Sequence, residues 1–537
     1  MIDVVVVGSG HNALTAACYL SDAGLAVEVL ERDVIAGGAV SSVERFPGHR
    51  VDRGSSAHIM VRHTGIIEEL SLAAHGLRYA ECDPWAFAPG APGTDEPALV
   101  FHRDLGRTCD SIAAACGPAD AKAYRDFVAT WGPRSARTMR AFSAPPTGSN
   151  LLRSFWGLGA PDGGSALSRE FLTTGDALLD EMFDSERLKA ALAWFGAQSG
   201  PPMSEPGTAP MVGFAALMHT LPPGRAIGGS GALSEALISR LTSTGGGLSV
   251  GDAVTSVSRR GGTWETRTAS GRVLPSRIVV AGCHILTTLD LLIAGGHDSI
   301  PVEAWRRRIR VGPGIGMAVR LATDSLPRYA SADIESDATS GLQLLVRDRA
   351  HLRAAHGAAS AGELPPTPAV LGMSFTALDP SVAPPGQHQI SLWSQWHPHT
   401  LSGGRTWRDS SESRAVDDVA EREAARIIAE MEVHAPGFTA SILDRHVQSP
   451  VDIERELGMI GGNIMHVEMS LDQMMMWRPV PQLSGHRVPG APGLYLTGAS
   501  THPGGGVSAA SGRSAARIAL ADTRAGRLRR WIGEKVR

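Results

Sequence analysis

The opening stretch of the chain constrains its fold more than any other. An apolar run Val4–Val7 leads into Gly8-Ser9-Gly10-His11-Asn12-Ala13, a helical pattern ending near Gly24, then Val27–Leu30 and Glu31. This order predicts strand, glycine turn, helix, strand, acid. Gly8 permits a tight turn out of the first strand, and Gly10 has no side chain to keep a ligand phosphate from the backbone. Ala13 is small enough for the helix to lie close on the sheet. The helix N-terminus, opened by His11 and Asn12, points unpaired N–H groups and partial positive charge at a pyrophosphate. Glu31 falls roughly 20 residues after Gly8, where a carboxylate can take both hydroxyls of an adenosine ribose, and Arg32 follows it. A lone G-x-G-x-x-A is weak evidence. With strand, helix, second strand and acid in register it specifies a dinucleotide-binding, Rossmann-like α/β unit.

With 537 residues the chain is too long for one compact core, and about two to four structural units are expected. A net charge of −4 with no basic block gives no sign of a nucleic-acid partner. The five cysteines are odd in number and form no C-x-x-C, which fits a reducing, cytoplasmic setting and no metal site. The chain enters its first strand at Asp3, so no signal peptide is expected. The most apolar segment, Ile278–Gly296, is interrupted by His284 and Asp290, so no spanning helix is expected either.

Along the chain, Ile35-Ala36-Gly37-Gly38-Ala39 offers a second close backbone approach to a diphosphate. Gly65–Ala74 reads as a short amphipathic helix. From about Leu77 to Leu221 runs an insertion with helical patterns at Cys109–Cys116, Ala119–Met139 and Asp180–Phe195. Between them lies Ser143–Ser165, a Gly/Pro/Ser-rich stretch holding Trp156. It reads as a surface loop; the alternative is a flap or membrane-contacting patch over a substrate entrance. Ile227–Glu235 opens another helix, followed by short strands at Leu248–Val250, Val254–Val257, Thr263–Thr268 and Arg277–Ala281 that return to the first sheet. Strand patterns at Gly316–Leu321, Gly341–Val346, Ala369–Phe375 and Gln389–Trp396, with a helix at Ala415–Glu432, predict an α+β region. At the end, Gly493–Leu496 leads through Gly498-Ala499 and Gly504-Gly505-Gly506-Val507 into a helix from about Ser508 to Ala521. Three consecutive glycines weaken strand and helix alike, so this turn serves a close backbone approach.

These separated segments resemble flavin-dependent oxidoreductases of the phytoene desaturase type, within the amine-oxidase-like flavoproteins. Within these they resemble the branch of pyridine nucleotide-disulfide oxidoreductase domain-containing protein 2 and its bacterial relatives. The resemblance is carried by Val7–Leu14, Gly37-Gly38-Ala39, Gly228–Leu233, Asp452-Ile453-Glu454, Gly461–Ile464, Ser470–Gln473 and Gly493–Val507. It implies FAD as the tightly held dinucleotide. Gly8, Gly10 and Ala13 would meet the diphosphate, Glu31 the ribose, and Gly37 and Gly38 the phosphate–ribityl region. Val254 would pair its backbone with the adenine, and Gly498–Val507 would reach the ribityl chain and flavin ring. It also implies a discontinuous FAD-binding domain of residues 1–75, 225–290 and 485–537. A substrate domain of residues 76–224 and 291–484 would be built on a mixed or antiparallel sheet with a helical insertion. Ala39 stands where many relatives have an arginine, Ala499 where many have an acid, and Val467 where glycine is common, which would reshape the substrate pocket.

The chemistry so implied is hydride transfer from a substrate C–H bond to flavin N5, giving C=C or C=N, with oxygen or a quinone as electron acceptor. His58, His466 and His502 are the candidate acid–base groups, with Glu468 and Asp472 behind them. Relatives that oxidise amines hold a water to N5 with a lysine, and no lysine occurs between Lys189 and Lys535. A desaturase is therefore the first expectation and an FAD-dependent amine or amino acid oxidase the second. A flavin-dependent isomerase and a non-enzymatic escort-type binding protein follow. The expected partner is a small-molecule substrate, with peripheral membrane contact as an open question and the oligomeric state unspecified.

Overall fold

The computed structural model describes residues 2–155, 169, 172–329, 339–408 and 418–535. One sheet is fully parallel, in the order Leu494–Leu496, Ile278–Ala281, Val4–Val7, Val27–Leu30, Gly247–Ser249. The first strand is its centre, and it is apolar throughout because both of its faces are covered. Val4 and Val6 face a core formed with the helices His11–Asp22, Gly231–Ser243 and Ala510–Lys535. Val5 and Val7 face the other side, against Trp264 of a three-stranded meander and Leu289 of the helix Ile285–Ala294. Burying each such valine contributes about 1.5–3 kcal/mol. The Rossmann-like unit is thus assembled from the start, middle and end of the chain.

The second sheet has seven strands, in the order Ile442–Gln448, Gly316–Thr323, His388–Gln395, Ala369–Ser374, Leu342–Leu345, Ala86–Ala88, Leu99–Phe101. All pairings are antiparallel except Ala86–Ala88 with Leu342–Leu345, so the sheet is mixed. The last two strands come from the insertion, which is therefore stitched into the sheet. The period of two along Gly316–Thr323 turns Met317, Val319 and Leu321 into the core under the helix Val419–His434. Ala318 and Arg320 turn the other way, toward the first sheet's glycine loops.

The helices of the insertion differ from their sequence patterns in instructive ways. The expected helix Asp180–Phe195 is two helices, Gly175–Met182 and Glu186–Ala197. The break forms because Ser185 caps the second helix, and Asp120 accepts the backbone N–H groups of Asp184 and Ser185 at 2.8 Å each. Gly65–Ala74 divides likewise at Ser71, whose φ is 52°. Within the expected surface loop Ser143–Ser165, Gly148–Phe155 is helical; Trp156 lies outside the described residues. The helix expected over Ala415–Glu432 is described from Val419 to His434. No helix among the described residues is long and apolar enough to cross a membrane.

Candidate functional site

A cavity of about 960 Å³ runs between the two sheets, at the upper end of the range of roughly 300–1,000 Å³ for ligand sites. One end is polar and built from backbone. Gly8, with φ of 91°, turns the chain out of the first strand. Gly10 caps the first helix with no side chain, leaving the first-turn N–H groups facing the cavity. A Cβ on Gly10 would meet no protein atom within 4 Å; it would project into the cavity instead. A helix N-terminus with no side-chain cap, opening on the cavity, suits a diphosphate. His11, Asn12, Glu31, Arg32, Gly38, Ala39 and Val254 line the same end.

Glu31 is held in place by donors at both oxygens. Oε2 accepts from the Ser9 N–H (2.8 Å) and hydroxyl (2.7 Å), and Oε1 from the Asp33 N–H (2.9 Å). The Ser9 hydroxyl in turn accepts from the Gly37 N–H at 3.0 Å. Ser9, the variable residue of the glycine motif, therefore couples the first turn to the second; its hydroxyl was the only sequence signal for that role. Gly37 and Ala13 do not line the cavity. A Cβ on Gly37 would come within 2.6 Å of the Val40 carbonyl and 2.9 Å of Ser234, and Ala13 lies under Gly282. Both are packing positions for the turn and the helix.

The C-terminal segment closes the opposite wall. Gly498, Ala499, Gly505, Gly506 and Val507 line the cavity, and Val507 holds a left-handed φ of 52° that branched side chains rarely adopt. Arg478, fully buried, locks this wall without any carboxylate. It donates to the carbonyls of Ala499 (2.7 Å), Met465 (2.6 Å) and Glu468 (2.9 Å). Burial pushes its guanidinium down to about 9. Nothing in the sequence pattern marks this residue.

The three histidines expected near the reacting atoms separate. His466 lines the cavity. His58 does not: its Nδ1 meets the Tyr79 hydroxyl at 2.7 Å and its Nε2 the Ser230 hydroxyl at 3.0 Å, tying two loops together inside the core. His502 is also buried off the cavity, with Nε2 donating to the Ala141 carbonyl at 3.1 Å and its ring edge against Phe142. Burial lowers both to about 3, so both are neutral structural rings. Glu468 and Asp472 both pair with Arg310, at 2.9 and 2.6 Å, away from the cavity lining. Val467 is buried in the core below the first sheet, where it does not touch the pocket.

The remaining wall is apolar, and methionine dominates it: Met60, Met211, Met373, Met459, Met465, Met469, Met474, Met475 and Met476 all line the cavity. Phe142, Phe195, Phe214 and Trp393 complete it. At the mouth Leu152, Leu172, Met476 and Trp477 are exposed to solvent. The run Met474-Met475-Met476 was a visible signal for this pocket, although sequence alone does not place it opposite the glycine loops.

Residues 6–70 match the model of the NAD(P)-binding Rossmann-like domain family. Pyridine nucleotide-disulfide oxidoreductase domain-containing protein 2 of Mus musculus is 31% identical, with 97% of this chain and 93% of the relative covered. Phytoene dehydrogenase of Streptomyces griseus is 27% identical over 94% of this chain and 92% of its own. Among solved structures, a triple mutant of putrescine oxidase shares the fold with a TM-score of 0.63 at 13% identity, over 98% of this chain and 99% of that one.

Proposed function

Because the chain belongs to the oxidoreductase family of pyridine nucleotide-disulfide oxidoreductase domain-containing protein 2, we propose that it is an FAD-dependent dehydrogenase or desaturase acting on an apolar substrate. When bound, FAD supplies the N5 position that accepts hydride. The observation that carries the reading is the cavity itself, whose lining combines the backbone N–H groups of a glycine turn with nine methionines. Flexible thioether side chains adapt to an extended apolar molecule and offer no charge to hold an ammonium group.

The chain's own residues hold, orient and exclude water. Glu31 would take the ribose hydroxyls, the N–H groups after Gly10 the diphosphate, and Gly498–Val507 the ribityl and ring. The methionines and Trp393 would hold the substrate carbon against the ring at the roughly 3–3.5 Å that hydride transfer requires. His466 would stand beside the reacting volume as a neutral hydrogen-bonding ring. The exposed apolar mouth at Leu152, Leu172, Met476 and Trp477 supports uptake from an apolar phase, including peripheral contact with a membrane. The reaction so proposed would remove a hydride from one substrate carbon and a proton, released to water, from its neighbour to give C=C, with oxygen or a quinone as the final two-electron acceptor.

The test is anaerobic titration of the flavin-loaded protein with saturated and unsaturated apolar compounds. Bleaching of the visible flavin absorbance with formation of a new C=C is expected. Bleaching by amines with release of ammonia would establish the oxidase reading instead, and product isomerised without net bleaching would establish the isomerase. A protein that takes up no flavin would be the escort-type binder.

A further inference from the structure

Reading the cavity as a chamber for cofactor and substrate leaves one group unaccounted for. Arg320 lies on the inner face of Gly316–Thr323, is 3% exposed, and lines the cavity. None of its hydrogen-bond partners carries a charge. Nη1 donates to the hydroxyls of Ser391 and Ser56, and Nη2 to the Gly54 carbonyl at 3.2 Å. Its Nε is buried with no partner. The nearby acids are engaged elsewhere. Asp52 binds Arg225, the Ser42 hydroxyl and the Ser230 N–H, and Glu456 binds Arg45. Arg53, on the adjoining loop, pairs with Asp33 at 2.8 Å and still leaves its own Nη1 buried and unpartnered. Four guanidiniums therefore face three carboxylates here, and the unmatched charge is Arg320. A buried guanidinium that pairs with no carboxylate, shares Asp52 and Glu456 with other arginines and keeps an unpartnered Nε is unfavourable, so an anion is the missing component.

We propose that Arg320 is a binding residue for an anionic oxygen group, a carboxylate or a phosphate, that enters the cavity with its ligand. This deepens the function proposed above and rests on that reading of the cavity. Two sources share the chemistry: the polar end of an otherwise apolar substrate, and the diphosphate of the dinucleotide. Position favours the substrate. Arg320 follows Ala318 on the same strand face; its own partners across the sheet are Ser391 and His446, while Trp393 of the apolar wall lies opposite Ala318 and Met373 lies one strand further, opposite Ser391. The substrate would then be a long-chain amphiphile, its chain along the methionines and its anionic head at Arg320.

The experiment uses the full-length protein, wild type, Arg320→Gln and Arg320→Lys. Affinity for palmitate and for hexadecanol, a carboxylate and an alcohol of equal chain length, is read by calorimetry. FAD affinity of the flavin-free form is read by fluorescence quenching. Expected in wild type is a preference for palmitate over hexadecanol of about tenfold, the worth of one charge-assisted pair. Arg320→Gln should abolish the preference without changing FAD affinity, and Arg320→Lys should restore part of it. A loss of FAD affinity in Arg320→Gln, with no palmitate preference in wild type, would assign the anion to the cofactor. Equal binding of the two probes together with unchanged FAD affinity would overturn the proposal. The wild-type preference is measurable even if Arg320→Gln does not fold. It is also measurable without flavin, which separates failure here from failure of the FAD reading.

Discussion

The ring of His466 stacks on that of His284, with centroids 5.0 Å apart and planes 25° apart. His284 Nδ1 accepts from the Leu286 N–H at 3.2 Å, so its Nε2 carries the proton donated to the His466 carbonyl at 2.9 Å. His466 Nδ1 meets the Ser500 hydroxyl, which itself accepts from the Ile285 N–H. The tautomer of His284 is fixed, and a second proton on both rings would bring two like charges face to face.

It follows that His466 acts without titrating. Burial and the neighbouring cations hold His466 well below its ordinary value, and burial lowers His284 to about 4. In His466→Gln the flavin content should match wild type and kcat should fall by less than about tenfold, the loss of one neutral hydrogen bond. The pH–rate profile should carry no inflection near neutral pH that the substitution removes. An inflection of that kind would make His466 a true proton acceptor.

Acid should destabilise the fold well before the carboxylates titrate. His58 and His502 are depressed to about 3, and His284 and His486 to about 4, all by burial. Between those values and about 6.5 the unfolded chain binds more protons than the native one, so stability rises with pH. It is fully present above about 6.5 and is lost as pH falls toward 4 and below. Urea midpoints measured from pH 7 to pH 4.5 should fall steadily, and more shallowly in His486→Gln.

Glu31→Gln should weaken FAD binding by about tenfold to a hundredfold, as expected when hydrogen bonds to a charged acceptor are lost. The amide must turn its NH₂ toward either Ser9 or Asp33, where only donors point. Ser9→Ala should have a smaller effect of the same sign. Equilibrium titration of the flavin-free protein with FAD distinguishes the two.

A Cβ on Gly505 would sit 2.2 Å from Met465 Sδ and 3.1 Å from Met465 Cα. Gly505→Leu therefore cannot be absorbed by rotating the methionine's end alone. It must push the 465 loop or the 505 turn into the cavity. Folded protein with a flavin-to-protein ratio far below wild type is expected, measured from the visible and ultraviolet absorbance. Full flavin content would remove this turn from the ring site.

Asp52 and Arg225 form an ion pair fully shielded from solvent, with Arg225 also 4.1 Å above the Phe375 ring. Asp52→Asn should cost about 3–5 kcal/mol, because it strands a buried guanidinium. The double variant Asp52→Asn/Arg225→Met should recover part of this, which chemical denaturation would show as non-additivity.

How much of this was legible beforehand depended on the range of the forces involved. The order Val4–Val7, Gly8, Gly10, Val27–Leu30, Glu31 specified its strand, turn, helix and acid, because period-two burial, glycine turns and helix N-termini are local properties. The Met474–Met476 run and the glycine cluster at Gly504–Gly506 were likewise visible as composition. What tertiary structure alone decided is which of these meet. Three buried or partly buried histidines looked alike in the chain, yet only His466 reached the cavity, since the fates of His58 and His502 were set by Ser230 and Ala141, far off in sequence. No sequence pattern marks Arg478 or Arg320; the fold encloses the first among carbonyls and sets the second on the cavity wall. Proximity between distant segments, and the solvent it excludes, is a property of the packed molecule; no spacing along the chain encodes it.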